Sequence, residues 1–294
     1  MGAEVSDILG FWGIKNGKLI QILGNGANVY VIETELGKVV LKGHRISLSE
    51  TQILRNIHAH EFLGNKLEIA PQIYPRPDGT TFWTSDTHYW YLMEFIVGAH
   101  AQETTSDEYL LGEATAKLHQ SVGYEDPCEF SISEQIKEIK TRYNDRKWKP
   151  HLDELINSLP DFDSHCQCFI HTDVGPHNAI IRDGAIVFID LDGAGIGSKY
   201  IDIGYPFITQ FVAYNKKTGE TYYKFEAAKA FLDGYCSVSR LTRFEYDLIW
   251  HGAVFRHISE MKCYDESAVE PLWHILNFGL KQKDTLLQSL TCIS

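Results

Sequence analysis

Asp173, Asn178 and Asp190 stand in one short stretch, FIHTDVGPHNAIIRDGAIVFIDLDGAG (Phe169 to Gly195), whose other residues are mostly apolar or glycine. Apolar strands do not collect carboxylates without a use for them. Asp183-Gly184 is a hairpin turn signal between two β-branched runs, NAII and IVFI. Pairing those runs returns Asp190 to the rim that carries Asp173 and Asn178. Asn178 and Asp190 offer hard oxygen donors suited to Mg2+, which takes one or two protein ligands and the rest from water and phosphate. Asp173, kept off the metal, can accept a proton from an attacking hydroxyl. Asp192, two residues past Asp190, is either a substrate contact or a support. His177 is either a substrate contact or a loop filler, and this chemistry requires neither.

The elements that must position these residues are of two kinds. KLIQILGNGANVYVIETELGKVVLKGH alternates apolar and polar residues, with turn signals at Gly24-Asn25-Gly26 and Glu35-Leu36-Gly37, and predicts two or three antiparallel strands. A helix follows, with a serine capping signal before Ile53, Leu54, Ile57 and Leu63. Strand character returns up to Gly98. Beyond it SDEYLLGEATAKLHQSVG, SISEQIKEIKTRYNDRKW and most of residues 206–290 read as helical. The prediction is an α+β chain in which residues 1–97 form a small β-rich lobe and residues 98–294 a larger, mainly helical one.

HTDVGPHN (His171 to Asn178) followed by IDLDGAG (Ile189 to Gly195) has the catalytic-loop and metal-loop grammar of protein kinases. Thr172 in place of Arg, and Asp190-Leu191-Asp192 in place of Asp-Phe-Gly, resemble the aminoglycoside phosphotransferase and choline kinase superfamily. LLGEATAKLHQ and KYIDIGYP, with Asp202, resemble further segments of that family. The resemblance runs from about residue 15 to residue 280, and its loop differs at Gly175-Pro176-His177 from the His-Pro-Gly often found there. It implies a bilobal, protein-kinase-like fold and an enzyme that is a small-molecule kinase, with ATP and Mg2+ as cofactors.

On that resemblance the N-terminal lobe holds the nucleotide. Gly24, Gly26 and Val31 fall in register with the glycine-rich loop over the phosphates, although Val29 takes the place of its third glycine. A Rossmann fingerprint would need that glycine and a following helix, and a Walker A would need Gly-Lys-Ser/Thr. Lys42, on the third strand, is the expected phosphate lysine. Glu50 is its expected helix partner, with Glu61 as the alternative. Met93, Glu94, Phe95 and Ile96 form the expected hinge against adenine, read through backbone groups. Asp173 is then the catalytic base, and Asn178 and Asp190 the metal ligands.

The acceptor is less sharply written. Glu260, Asp265, Glu266 and Glu270 make one helical stretch acidic, as a cationic acceptor would require or as a solvated helix face would show. Glu260 and Asp192 are the candidate substrate contacts. An aminoglycoside or other antibiotic is the favoured acceptor; homoserine, choline or methylthioribose are metabolic alternatives. A non-catalytic nucleotide-binding or spore-coat-like protein is a third reading, opposed by the joint presence of Lys42, Asp173, Asn178 and Asp190. Lys plus Arg number 27 against 39 Asp plus Glu, a formal charge of −12 that argues against nucleic acid and anionic membrane as partners. The start carries no signal-peptide pattern, and six scattered cysteines suit reduced thiols, so a cytoplasmic location is expected.

Overall fold

The computed structural model describes residues 2–23, 28–47, 49–125, 132–165, 167–215 and 217–290. Gly24 and Gly26 of the expected phosphate loop lie outside the described residues. The helices are α1 (Gly2–Gly10), α2 (Glu50–His60), α3 (Thr105–His119), α4 (Ile132–Arg142), α5 (Lys149–Asn157), α6 (Lys199–Thr209), α7 (Phe225–Val238), α8 (Arg243–Met261), α9 (Glu266–Leu280) and α10 (Lys283–Ser289). The strands of the N-terminal sheet are β1 (Gly17–Leu23), β2 (Asn28–Thr34), β3 (Gly37–Arg45), β4 (Ile73–Tyr74), β5 (Phe82–Thr84) and β6 (His88–Glu94). Later strands are short: β7 (Ala99–His100), β8 (Gln167–Ile170), β9 (Ala179–Arg182), β10 (Ala185–Phe188), β11 (Gly195–Ser198), β12 (Val212–Asn215) and β13 (Glu220–Tyr223). The fold is α+β, sheet-rich at its N-terminal end and helical after it.

The chain divides into two compact units, one chiefly of Met1–Ala99 with Ile180–Asp192, the other of His100–Tyr124, Glu129–Ala179 and Gly193–Ser294. Position after residue 98 therefore does not assign a residue to the second unit, because the β-hairpin that leads into Asp190 and Asp192 groups with the first.

In the first unit an antiparallel sheet runs in the order β1-β2-β3-β6-β4, with β5 beside β6. Strand alternation gives it two apolar faces. Val39 and Leu41 of β3 pack with Val5, Ile8 and Leu9 of α1, an element the sequence reading did not place, and with Trp12 just after it. Val40, one residue over, packs with Ile53 and Ile57 of α2 and with Tyr91 and Met93 of β6. Lys42 follows Val40 by two residues and so shares the face that α2 covers. Ser49 starts α2 with a capping box, its Oγ accepting from Gln52 N at 3.3 Å while Gln52 Oε1 accepts from Ser49 N at 3.0 Å. The β9–β10 hairpin turns at Asp183 (φ 53°) and Gly184 (φ 81°), the paired positive φ values of a type I′ turn. It is tied to the sheet's flank by Phe188 N–H to Ile69 O at 2.9 Å.

In the second unit α3 packs on α7, and α6 on α8. The α6–α8 crossing is set by glycine: a Cβ on Gly252 would lie 2.0 Å from Tyr200 O, and one on Gly204 2.4 Å from Ala253 N. The 206–290 segment is less uniformly helical than predicted, because β12 and β13 pair across Gly219 (φ 77°) as a hairpin. Among the described residues no helix is long and apolar enough to cross a membrane.

Candidate active site

Lys42 is the charged centre of the first unit. It is buried, and its Nζ donates to Asp190 Oδ1 at 2.7 Å and to Asp192 Oδ1 at 2.6 Å. Burial opposes the ammonium charge, but the carboxylates of Asp192 and Asp190 outweigh it and hold the lysine firmly protonated. Among the described residues its carboxylate partners are thus these two aspartates. Glu50 occupies the exposed first turn of α2 and is not brought to Lys42, and Glu61 lies beyond the helix end. Asp190 is held at φ 60°, a left-handed backbone uncommon for a residue with a Cβ.

The expected hinge sits at the end of β6. Met93 is buried opposite Val40, and Glu94 ends the ladder opposite Val39, its N–H donating to Gln72 O at 2.9 Å. The Glu94 side chain accepts from Arg182 Nη1 at 3.0 Å, so it is engaged inside the unit. Phe95 and Ile96 follow the last laddered residue, and Lys38 lies over the Phe95 ring at 5.6 Å. Val31 is buried in β2 opposite Val40.

The loop after β8 builds the second unit's site. Asp202, in the first turn of α6, is fully buried and accepts from the backbone N–H groups of His171 and Thr172, both at 2.6 Å. Its Oδ2 also lies 3.2 Å from His119 Nε2. These charge-assisted bonds pin the backbone where Thr172 takes φ 72°, and so aim the next residue, Asp173. Asn178 Nδ2 donates to Asp173 Oδ2 at 2.8 Å and to its carbonyl at 3.1 Å, which leaves the Asn178 carbonyl oxygen as the hard donor. His177, without a role in the motif, stands with Nε2 3.4 Å from the same Oδ2. Asp173 Oδ1 is buried and accepts no hydrogen bond among the described residues.

Burial opposes ionisation of Asp173, yet His177 at its Oδ2, the neighbouring Tyr205 hydroxyl and His171 outweigh it, holding its carboxyl well below the usual range. The Tyr205 hydroxyl donates to Glu260 Oε1 at 3.1 Å, and the Arg256 guanidinium lies 5.2 Å from the Tyr205 ring. Burial pushes the Glu260 carboxyl up, Arg256 draws it down, and the Asp173 charge raises it further. Of the acidic stretch on α8 and α9, Glu260 thus reaches this group, whereas Glu266 and Glu270 pair with Arg146.

A cavity of about 420 Å³ adjoins the group, lined by Gln102, Glu103, Pro176, His177, Tyr205 and Gln210 among others. Lys224 pairs with Glu103. Gln210 donates to Glu108, a buried carboxyl that sequence reasoning did not single out, and burial pushes that carboxyl up to about 8.

No individual curated protein matches the chain. Among solved structures, a microcompartment-associated aminopropanol kinase aligns over 98% of both chains at 18% identity, with a TM-score of 0.67. An amicoumacin kinase in complex with AMP-PNP and Ca2+ aligns over 91% of this chain and 88% of its own, at 18% identity and a TM-score of 0.65. A choline kinase from Cryptosporidium parvum Iowa II aligns over 93% and 90%, at 17% identity and a TM-score of 0.61. The shared fold is that of protein-kinase-like small-molecule kinases. A sequence model of the phosphotransferase enzyme family matches residues 18–235, well over half of the chain. The chain therefore belongs to that phosphotransferase enzyme family.

Proposed function

We propose that the protein transfers the γ-phosphoryl group of ATP, in the presence of Mg2+, to a hydroxyl of a small amine-bearing molecule. One observation carries this reading. Asp173 is a buried carboxylate held ionised, tied through Oδ2 and without a partner among the described residues at Oδ1, with His177 and Tyr205 linking it to a small polar cavity. A hydroxyl held beside that group would donate its proton to the Asp173 carboxylate as it attacks phosphorus.

The residues present suit both cofactors. Asp190 is half exposed and Asn178 turns its carbonyl oxygen away from Asp173, two hard oxygen donors of the kind Mg2+ takes. Such a metal would supply charge that neutralises the phosphates. Lys42, a buried cation, is suited to the α- and β-phosphates. The unladdered backbone at Phe95 and Ile96, beside Met93 and Glu94, is suited to adenine. On this reading residues 1–97, including Gly24, Gly26 and Val31, supply the nucleotide contacts. Residues 98–294 supply the base and the acceptor contacts. An enzyme drawing on ATP belongs in the cytoplasm, and we assign it there.

For the acceptor, Glu260 supports an amine: burial and the Asp173 charge push its carboxyl up, and an arriving cation would offset both. The related structures include kinases of aminopropanol, choline and amicoumacin and a spectinomycin phosphotransferase. Antibiotics of the aminoglycoside type and small amino alcohols are both within this class. A screen of ADP release against aminoglycosides, spectinomycin, aminopropanol, ethanolamine, choline, homoserine and methylthioribose tests it. Asp173→Asn should lower kcat by about 10²–10⁴-fold while Mg·ATP still binds. Turnover by that variant at the wild-type rate removes Asp173 as base, and turnover confined to methylthioribose removes the amine.

A further inference from the structure

Lys42 has two carboxylate partners, and they are not equivalent. Asp190 is the proposed metal ligand, and a carboxylate oxygen drawn into a magnesium sphere has less charge left for an ammonium. Asp192 is tied down by its own neighbours. Its Oδ1 sits 2.6 Å from Lys42 Nζ and 3.6 Å from His44 Nε2. Behind it lies Asn56 of α2, 3% exposed, on the helix face turned toward the sheet. In the orientation that satisfies both ends of its amide, Asn56 donates to Asp192 O at 2.9 Å and to Gln52 O at 3.2 Å. The backbone of Asp192 is thereby clamped to α2, and its carboxylate to β3. Glu50, the expected helix partner of Lys42, stays exposed in the first turn of α2.

We propose that Asp192, clamped to α2 by Asn56, is the positioning residue that holds Lys42 for the nucleotide phosphates, in place of a helix glutamate. This rests on the assignment of Lys42 to the phosphates. The link between lysine and helix is kept, but its charge has moved from the helix to the segment after β10, and α2 contributes an amide instead. When Asp190 serves the metal, Asp192 still orients the ammonium, so a metal and a positioned lysine can be present together.

The test is a carboxylate swap on the full chain. Asp192→Asn is compared with the double variant Asp192→Asn/Asn56→Asp, which returns a carboxylate to α2. Two quantities are read: kcat/KM for ATP across Mg2+ concentrations, and the rate at which an amine-reactive acylating reagent labels Lys42 without nucleotide or metal, followed by mass spectrometry. Expected for Asp192→Asn is a fall of about tenfold or more in kcat/KM that added Mg2+ does not reverse, with faster Lys42 labelling. The swap should recover both within a few-fold. Wild-type labelling in Asp192→Asn, or recovery of its activity by excess Mg2+, overturns the proposal and makes Asp192 a metal ligand. If the swap misfolds by circular dichroism, Asp192→Glu takes its place: slow labelling restored supports the clamp, and labelling as fast as in Asp192→Asn overturns it. Should the wild type fail to bind Mg·ATP at all, the kinase reading of Lys42 falls, while the labelling rates still decide whether Asp192 holds the lysine.

Discussion

Asp173 is held by groups that favour its charged form against the cost of burying it. That balance has a kinetic consequence. A general base works unprotonated, so activity on the acidic side falls as Asp173 takes up a proton. His177 and Tyr205 keep its pKa depressed, and removing either must raise it. Tyr205→Phe and His177→Ala should each move the acid limb of the pH profile of kcat/KM to higher pH, with a smaller change at neutral pH. A limb that stays in place in both variants would show that the titrating base is another group. Glu260 offers a control at the same scale: it shares Tyr205, but its carboxyl is shifted the opposite way, so Glu260→Gln should alter KM for an amine-bearing acceptor more than the limb.

The elements matter because α6 and α8 carry the surroundings of Asp173. Asp202 and Tyr205 lie on α6, and Arg256 and Glu260 on α8. Their close crossing runs over Gly204 and Gly252, and a methyl group at Gly252 would press on the Tyr200 carbonyl. Gly252→Ala should cost about 1–3 kcal/mol or more in urea unfolding and lower kcat, although the residue touches nothing in the site. Wild-type stability would mean the helices stand further apart. Much of this scale was legible in the sequence. Alternation wrote β1 to β3, the capping signal marked Ser49, and Asp183-Gly184 marked the β9–β10 turn. What escaped depends on distance through space. Helical period gives the face of α2 but not what reaches it from 136 residues away, so Asn56 carried no signal and Glu50 was the natural choice. The β12–β13 hairpin escaped because Gly219 reads equally as a helix break and as a tight turn.

At the scale of the whole molecule, stability against pH sums buried groups whose shifts oppose one another. Asp173, with its folded pKa lowered, contributes stability that is present above the unfolded value of 3.8 and lost as pH falls. Glu108 acts the other way. Burial raises its folded pKa to about 8 from 4.5, so it stays protonated in the folded chain after the unfolded chain has released the proton. Its contribution is complete below 4.5 and is lost as pH rises toward 8, with a slope of at most about 1.4 kcal/mol per pH unit. The net charge of −12 adds a repulsion that also grows with pH. The folded chain should therefore be most stable in mildly acidic solution and weaken toward pH 8. Glu108→Gln separates the two causes, because the amide keeps a partner in Gln210 and cannot ionise. Measured by urea unfolding from pH 5 to pH 8, the variant should show a flatter profile than the wild type and exceed it in stability at pH 8. Parallel profiles would assign the loss to the general charge, and Glu108 would then be ionised in the folded protein.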